Sequence, residues 1–314
     1  MVEAKLLRIA HSLSVDSFFD YARARPELAA ETWRTRLLGG GVSNVVLLAE
    51  SAERRWVFKQ ALGRLRVEEE WLADRARAHR EAAAIRALAP FLPAGAVPRV
   101  VFEDRDNFIY AMEAAPASAE DWKARLMRGE RDENAARQTM RILRALGQRG
   151  VRWREEFGDQ TCFDQLRLDP YYRFTAARHP DLCEAFEEAI ALARRPLAMV
   201  HGDFSPKNML VDGDGRVMLI DFEVVHYGDP AFDAAFLLNH LLLKDARELG
   251  RVCARELEGF ETAAVIRHLG CLHLARVDGK SPAEYLTGTQ RVRVRGAARE
   301  MIANPPKTIE EIFV

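Results

Sequence analysis

The 314-residue chain has little of what marks the more easily assigned protein classes. It carries four cysteines, Cys162, Cys183, Cys253 and Cys271, with no C-x-x-C pair and no zinc-like spacing to histidine. That excludes a disulfide framework and a zinc ribbon, and fits core thiols in a reducing compartment. Net charge is almost absent, 46 basic against 47 acidic residues, so no overall field draws the chain to nucleic acid or to an anionic membrane. Long apolar runs are missing as well. The longest, A-A-F-L-L-N-H-L-L-L, is broken by Asn239 and His240 and is too short to span a bilayer. The N-terminus lacks the sustained apolar stretch and small-residue cleavage site of a signal peptide. There is no internal repeat or low-complexity segment. At 48% hydrophobic the chain is a globular protein with material for one large or two smaller cores. The expectation is a cytoplasmic protein with small-molecule partners, no nucleic acid and no membrane; its oligomeric state is not set by the sequence.

Periodicity divides the chain. Residues around 14 to 32 read as helical. Arg34 to Leu38, Asn44 to Glu50, Arg55 to Gln60, Arg99 to Phe102 and Phe108 to Met112 read as five short strands. An Ala-rich helix from about Trp71 to Leu88 interrupts them and ends before Pro90. Beyond Ala114-Ala115-Pro116 helical periods dominate, near 119–128, 132–148, 180–194, 230–243 and 260–275, around an island of short strands at Leu197 to Met218 with a D-G-D-G turn. This predicts an α+β fold with an N-terminal lobe, 1–114, and a larger helical lobe, 115–314.

Four constellations carry chemistry. V-H-G-D-F-S-P-K-N-M-L sets Asp203 five residues before Asn208, the spacing of a kinase catalytic loop. Asp203 there orients the proton of an attacking hydroxyl and Asn208 offers an amide oxygen to a metal. His201 is read as structural, and Lys207 either stabilises a transferred phosphoryl group or is a solvated loop lysine. V-M-L-I-D-F-E ends an apolar strand in Asp221, suited to Mg²⁺, with Glu223 either assisting a second metal or facing solvent. L-L-G-G-G-V-S-N-V-V offers Gly39, Gly40, Gly41 and Ser43 as a phosphate cradle, or equally an ordinary hairpin turn. In W-V-F-K-Q, Lys59 interrupts an apolar strand and can reach phosphates if Glu81 holds its ammonium; the plain alternative is an edge-strand lysine and a solvated glutamate. Glu68, Glu69 and Glu70 compete for that role. Asp233 reads as a cement for the catalytic loop.

In these segments the chain resembles the aminoglycoside phosphotransferase and choline kinase-like small-molecule kinases, most specifically in V-H-G-D-F-S-P-K-N-M-L and L-I-D-F-E-V-V-H-Y-G-D-P-A-F-D. V-F-K-Q-A-L-G-R-L-R-V and H-R-E-A-A-A-I-R also look like methylthioribose kinase. The resemblance implies a bilobal protein-kinase-like fold, ATP bound at the hinge, where Glu113 and Ala115 fall, Mg²⁺, and transfer to a hydroxyl. It also implies Asp203 as the catalytic Asp, Asn208 and Asp221 as metal ligands, and Lys59 with Glu81 as the phosphate-positioning pair. Asp-Phe-Glu in place of Asp-Phe-Gly, G-G-G-V-S-N in place of G-x-G-x-x-G, and the lack of a following A-P-E argue against a protein substrate. Acceptor contacts are expected in Phe163 to Arg173, where an insertion carrying Arg167, Tyr171 and Arg173 either covers the acceptor pocket or packs between helices, and around 275–286. The mixed charge of these segments favours a neutral or zwitterionic acceptor over a polycationic one. The alternative is a nucleotide-binding regulatory pseudokinase.

Overall fold

A computed structural model describes residues 12–39, 43–64 and 73–314. The chain divides into two compact units, Met1–Pro90 with Val97–Pro116, and Phe91–Ala96 with Ala117–Val314.

In the first unit, β1 (Arg34–Leu37), β2 (Asn44–Glu50), β3 (Arg55–Ala61), β4 (Val100–Asp104) and β5 (Ile109–Glu113) form one antiparallel sheet in the order β1-β2-β3-β5-β4. All five lie within two residues of the runs read from sequence, because β-branched and aromatic residues there alternate over tight polar turns. The sheet core is aromatic. Phe18 of helix α1 (Val15–Arg23) meets Phe58 of β3 edge to face at 4.9 Å, and Trp33 closes on both.

The helix expected over 14–32 is in fact two pieces, since Pro26 cannot donate to the preceding turn and restarts a short helix at Pro26–Ala29 after extended Arg25. Helix α2 (Arg77–Leu88) begins later than the Ala-rich pattern suggested. Trp71 itself is outside the described residues. Ahead of α2 the Asp74 carboxylate accepts the Ala76 N–H at 2.9 Å, a local turn that competes with helix.

The second unit is mainly helical, with two small sheets that present loops. β6 (Glu120–Asp121), β8 (Met209–Val211) and β9 (Val217–Leu219) form one sheet, and β7 (Ala198–Val200) pairs with β10 (His226–Gly228) in the other. The D-G-D-G turn joins β8 to β9, with Asp212 Oδ1 accepting the N–H groups of Asp214 and Arg216, both at 2.9 Å. Each helical period expected beyond residue 118 has a counterpart: Trp122–Met127, α3 (Glu133–Leu146), Cys183–Ala193, α5 (Ala231–Leu242) and α6 (Thr262–Asp278).

Three features differ from expectation. The 163–173 segment, read as an insertion that covers a pocket or packs between helices, is part of a continuous helical run. Its centre, α4 (Asp164–Arg173), is wound in wide π turns despite Pro170, with Leu166, Leu168 and Tyr172 buried. Arg247–Arg255 and α7 (Gly288–Ala303) are helices too; the first buries Leu249, Val252 and Cys253 at helical spacing, whereas α7 buries only Ala298 and Ile302. Among the described residues no helix is long and apolar enough to cross a membrane.

Candidate active site

The loop after β7 is held by a carboxylate from another element. Asp233, fully buried in the first turn of α5, accepts the His201 N–H at 2.6 Å on one oxygen and the Gly202 N–H at 2.9 Å on the other. Burial pushes its carboxyl up to about 7, against the pull of those two donors. Gly202 sits at φ +79°, and a Cβ there would lie 2.8 Å from the Val224 carbonyl oxygen. Only glycine suits that turn. His201 donates from Nε2 to the Ile220 carbonyl at 3.1 Å and accepts the Asp203 N–H on Nδ1 at 3.1 Å. Burial lowers the imidazole to about 4, so it is neutral, and its two bonds fix both tautomer and loop.

Asp203 is thereby presented at 2% exposure with two cations on one oxygen. Arg167 and Lys207 each stand 2.9 Å from Oδ2. Burial resists its ionisation, but Arg167 and then Lys207 outweigh it and hold the carboxyl below its ordinary value. Asp203 is a carboxylate across the neutral range.

Arg167, expected at an acceptor pocket, has its guanidinium engaged locally. Nε donates to the Gly202 carbonyl at 2.7 Å and Nη1 to the Leu166 carbonyl at 2.6 Å. Tyr171, one turn further along α4, is buried, and its hydroxyl lies 3.4 Å from Arg276 Nη1. Burial disfavours its phenolate, yet Arg276 and Arg167 bring the phenol below its ordinary value. Arg173 is exposed and paired with Asp164 at 2.9 Å and with Asp169. It does not join the Asp203 group.

Asn208 closes the loop by donating Nδ2 to the Asp203 carbonyl at 2.9 Å, which leaves Oδ1 as the amide's acceptor. The Asn208 carbonyl takes the Ile220 N–H at 3.0 Å, tying the loop to the residue before Asp221. Asp221 adopts φ +72°, a costly conformation for a residue with a side chain. Glu223 is buried in the turn that follows. Among the described residues no three His, Cys, Asp or Glu side chains gather closely enough to hold a metal by themselves.

In the first unit, β3 is a central strand, so Lys59 is not an edge lysine. It is 5% exposed, and Nζ lies 2.8 Å from each carboxylate oxygen of Glu81 on α2. Glu68, Glu69, Glu70, Gly40 and Gly41 lie outside the described residues. Gly39 is in open space, where a Cβ would meet nothing within 4 Å. The Ser43 hydroxyl accepts from the Asn44 amide at 3.0 Å. Glu113 ends β5 in contact with Arg99, and the Ala115 carbonyl accepts from the Arg55 guanidinium.

Sequence reasoning missed Arg77. Fully buried one turn before Glu81, it donates to the carbonyls of Ser43 at 2.6 Å, Leu62 at 2.8 Å and Asp74 at 2.7 Å. It thus locks the end of the glycine segment to the helix that carries Glu81. The i, i+4 spacing of Arg77 and Glu81 was a usable signal.

Five antiparallel strands with a lysine–glutamate pair, followed by a helical unit that presents a buried aspartate loop, constitute a protein-kinase-like fold. The chain belongs to the phosphotransferase enzyme family, whose model matches residues 34–266. Among solved structures, a choline/ethanolamine kinase family protein from Mesorhizobium loti is 17% identical with a TM-score of 0.60, over 95% of this chain and 97% of that one. A spectinomycin phosphotransferase, solved with ADP and spectinomycin, is 13% identical with a TM-score of 0.56, over 96% and 98%. A choline kinase from Streptococcus pneumoniae is 14% identical with a TM-score of 0.55, over 90% and 98%. At these identities the likeness establishes the fold. Comparison with the curated proteins finds no match.

Proposed function

We propose that the protein is an ATP- and Mg²⁺-dependent kinase that transfers the γ-phosphoryl group to a hydroxyl of a small molecule. The observation that carries this reading is Asp203, a buried carboxylate kept ionised by Arg167 and Lys207 on a loop anchored by hydrogen bonds to Asp233 and His201. A carboxylate so held suits a group that orients a hydroxyl and takes its proton.

In the reaction the acceptor oxygen bonds to the γ-phosphorus as the bond from that phosphorus to the β–γ bridging oxygen breaks. ADP leaves with that electron pair, and the hydroxyl proton passes to Asp203 and then to solvent. Residues 1–114, with Ala115 at the boundary, serve the nucleotide, and the rest of the chain serves the acceptor and the chemistry. Lys59, aligned by Glu81, binds phosphate oxygens, and Gly39 to Gly41 with Ser43 supply the surrounding donors. Glu113 and Ala115 contact the nucleotide base. Lys207 neutralises charge on the transferred group.

Asn208 Oδ1 and the Asp221 carboxylate are hard oxygen donors, which fits Mg²⁺, an ion that keeps several waters and shares its remaining ligands with substrate phosphates. Bound there, Mg²⁺ neutralises phosphate charge. The neighbour solved with ADP supports the nucleotide assignment by analogy of fold.

The test is ADP release with Mg²⁺ and ATP over sugars, amino alcohols, hydroxy acids and aminoglycosides. Acceptor-dependent release is expected for the wild type. Asp203→Ala should lose most turnover, by about 10²-fold or more, while still binding ATP. ATP binding without ADP release from any acceptor would favour a regulatory nucleotide binder instead.

A further inference from the structure

Near Asp203 the second unit gathers cations that carboxylates do not balance. Lys244, just past the end of α5, is 7% exposed, and Nζ lies 3.2 Å from His240 Nδ1 and 3.1 Å from the Tyr285 hydroxyl. Lys123 approaches the same Tyr285 ring at 5.5 Å and is paired with Glu284 at 3.1 Å. Arg276 of α6, 8% exposed, binds the Ser281 carbonyl, Ser281 Oγ at 3.2 Å and the Tyr171 hydroxyl, and its Nε has no hydrogen-bond partner. Among the described residues neither Lys244 nor Arg276 has a carboxylate within ion-pair distance.

These groups connect to the reacting carboxylate through side chains. Arg167, on Asp203, lies 5.9 Å from the rings of both Tyr171 and Phe236. The Phe236 ring is 5.1 Å from His240, which touches Lys244, and Arg276 is 5.8 Å from the Tyr171 ring. Burial, then Arg276 and Lys123, lower the Lys244 amine to about 7, with Glu284 and Asp121 the acids that oppose this. Burial, then Lys244, Arg276, Lys207 and Lys123, also lower His240. Buried cations without counter-charges are costly, and an anion placed among them removes the cost. A cationic acceptor would meet repulsion.

We propose that the acceptor is a hydroxy compound that also bears an anionic group, a carboxylate or a phosphate, held by Lys244, Arg276 and the Tyr285 hydroxyl while its hydroxyl reaches Asp203. This rests on the kinase reading and narrows its substrate. It departs from the neutral acceptor expected from sequence and requires an anionic group, because the two segments behind that expectation did not reveal which charges are neutralised in the fold.

The experiment uses the full-length protein with matched pairs: glycerol against D-glycerate and glycerol 3-phosphate, and ribose against ribose 5-phosphate, with choline as the cation. Calorimetric binding without ATP and initial rates with ATP are both read. An anionic member is expected to bind and to show a KM about tenfold or more below its neutral counterpart, and the carboxylate and phosphate arms identify the group. That split should collapse in Lys244→Met and return in Lys244→Arg. Melting curves establish that both variants fold.

Equal or better use of neutral members or choline would overturn the proposal and leave the kinase intact. Failure of every anionic probe to bind would overturn it as well. Binding of an anionic probe that is lost in Lys244→Met, with no ADP release from any acceptor, would keep the anion site and overturn the kinase reading.

Discussion

The guanidinium of Arg167 lies 2.9 Å from the Asp203 carboxylate, and both side chains are buried. Their partnership spans two elements, so the fold itself keeps Asp203 charged and oriented. Arg167→Met should leave the carboxylate with Lys207 alone, which is half exposed. Breaking a buried pair costs about 3 kcal/mol, so a lower midpoint in urea is expected. Because Arg167 lowers the Asp203 pKa, its loss should also move the acidic limb of the kcat–pH profile upward. An unmoved limb would detach Arg167 from the chemistry.

Glu81→Gln tests the other buried pair. Lys59 would keep a hydrogen-bond partner at this position but lose the charge of Glu81. Weaker ATP binding by titration and a stability loss of about 3 kcal/mol are expected. Retention of both would make the pair dispensable.

Two glycines should respond in opposite ways to alanine. At Gly202 a methyl group would press on the Val224 carbonyl in a left-handed turn, so Gly202→Ala should destabilise by about 2 kcal/mol and distort the loop that carries Asp203. At Gly39 nothing stands in the way, and Gly39→Ala should melt within about 0.5 kcal/mol of the parent. Differential scanning calorimetry on the two variants makes the comparison.

Acid should unfold the protein early. Burial lowers His201 and His273 to about 4 and His268 to about 3. In the unfolded chain they titrate near 6.5 and bind protons that the native state refuses, so stability falls as pH drops from about 6.5 towards 4. Asp233 works the other way: the fold holds its proton up to about 7, which adds stability on acidification between about 7 and 4. Three histidines outweigh one carboxyl. A melting temperature that falls through this window is expected, and His268→Phe should flatten the slope.

What could be read from sequence was local. The sheet announced itself through alternation, and Asp203, Asn208 and Asp221 through fixed spacing around tight turns. Lys59 and Glu81 were matched across 22 positions, and their ion pair is present. Arg167 was noticed as an acceptor contact, whereas its nearest charged partner is Asp203, 36 positions away. The segment of α4 was read only as an insertion that covers a pocket or packs between helices, since nothing local signals π winding. Lys244 passed as one more basic residue because its neighbours Arg276 and Tyr285 come from later in the chain. Long-range charge balance is a property of packing, and spacing does not encode it.

The wide-turned helix α4 holds Arg167 and Tyr171 one turn apart, the first braced against Asp203 and the second against Arg276. Under the proposed reading, recognition of the acceptor and activation of its hydroxyl hang from the same rod. A lineage that retunes its acceptor through α4 would disturb the aspartate in the same step. Changes at Lys244 and Tyr285, beyond that rod, leave a route by which preference drifts while the engine stays aligned.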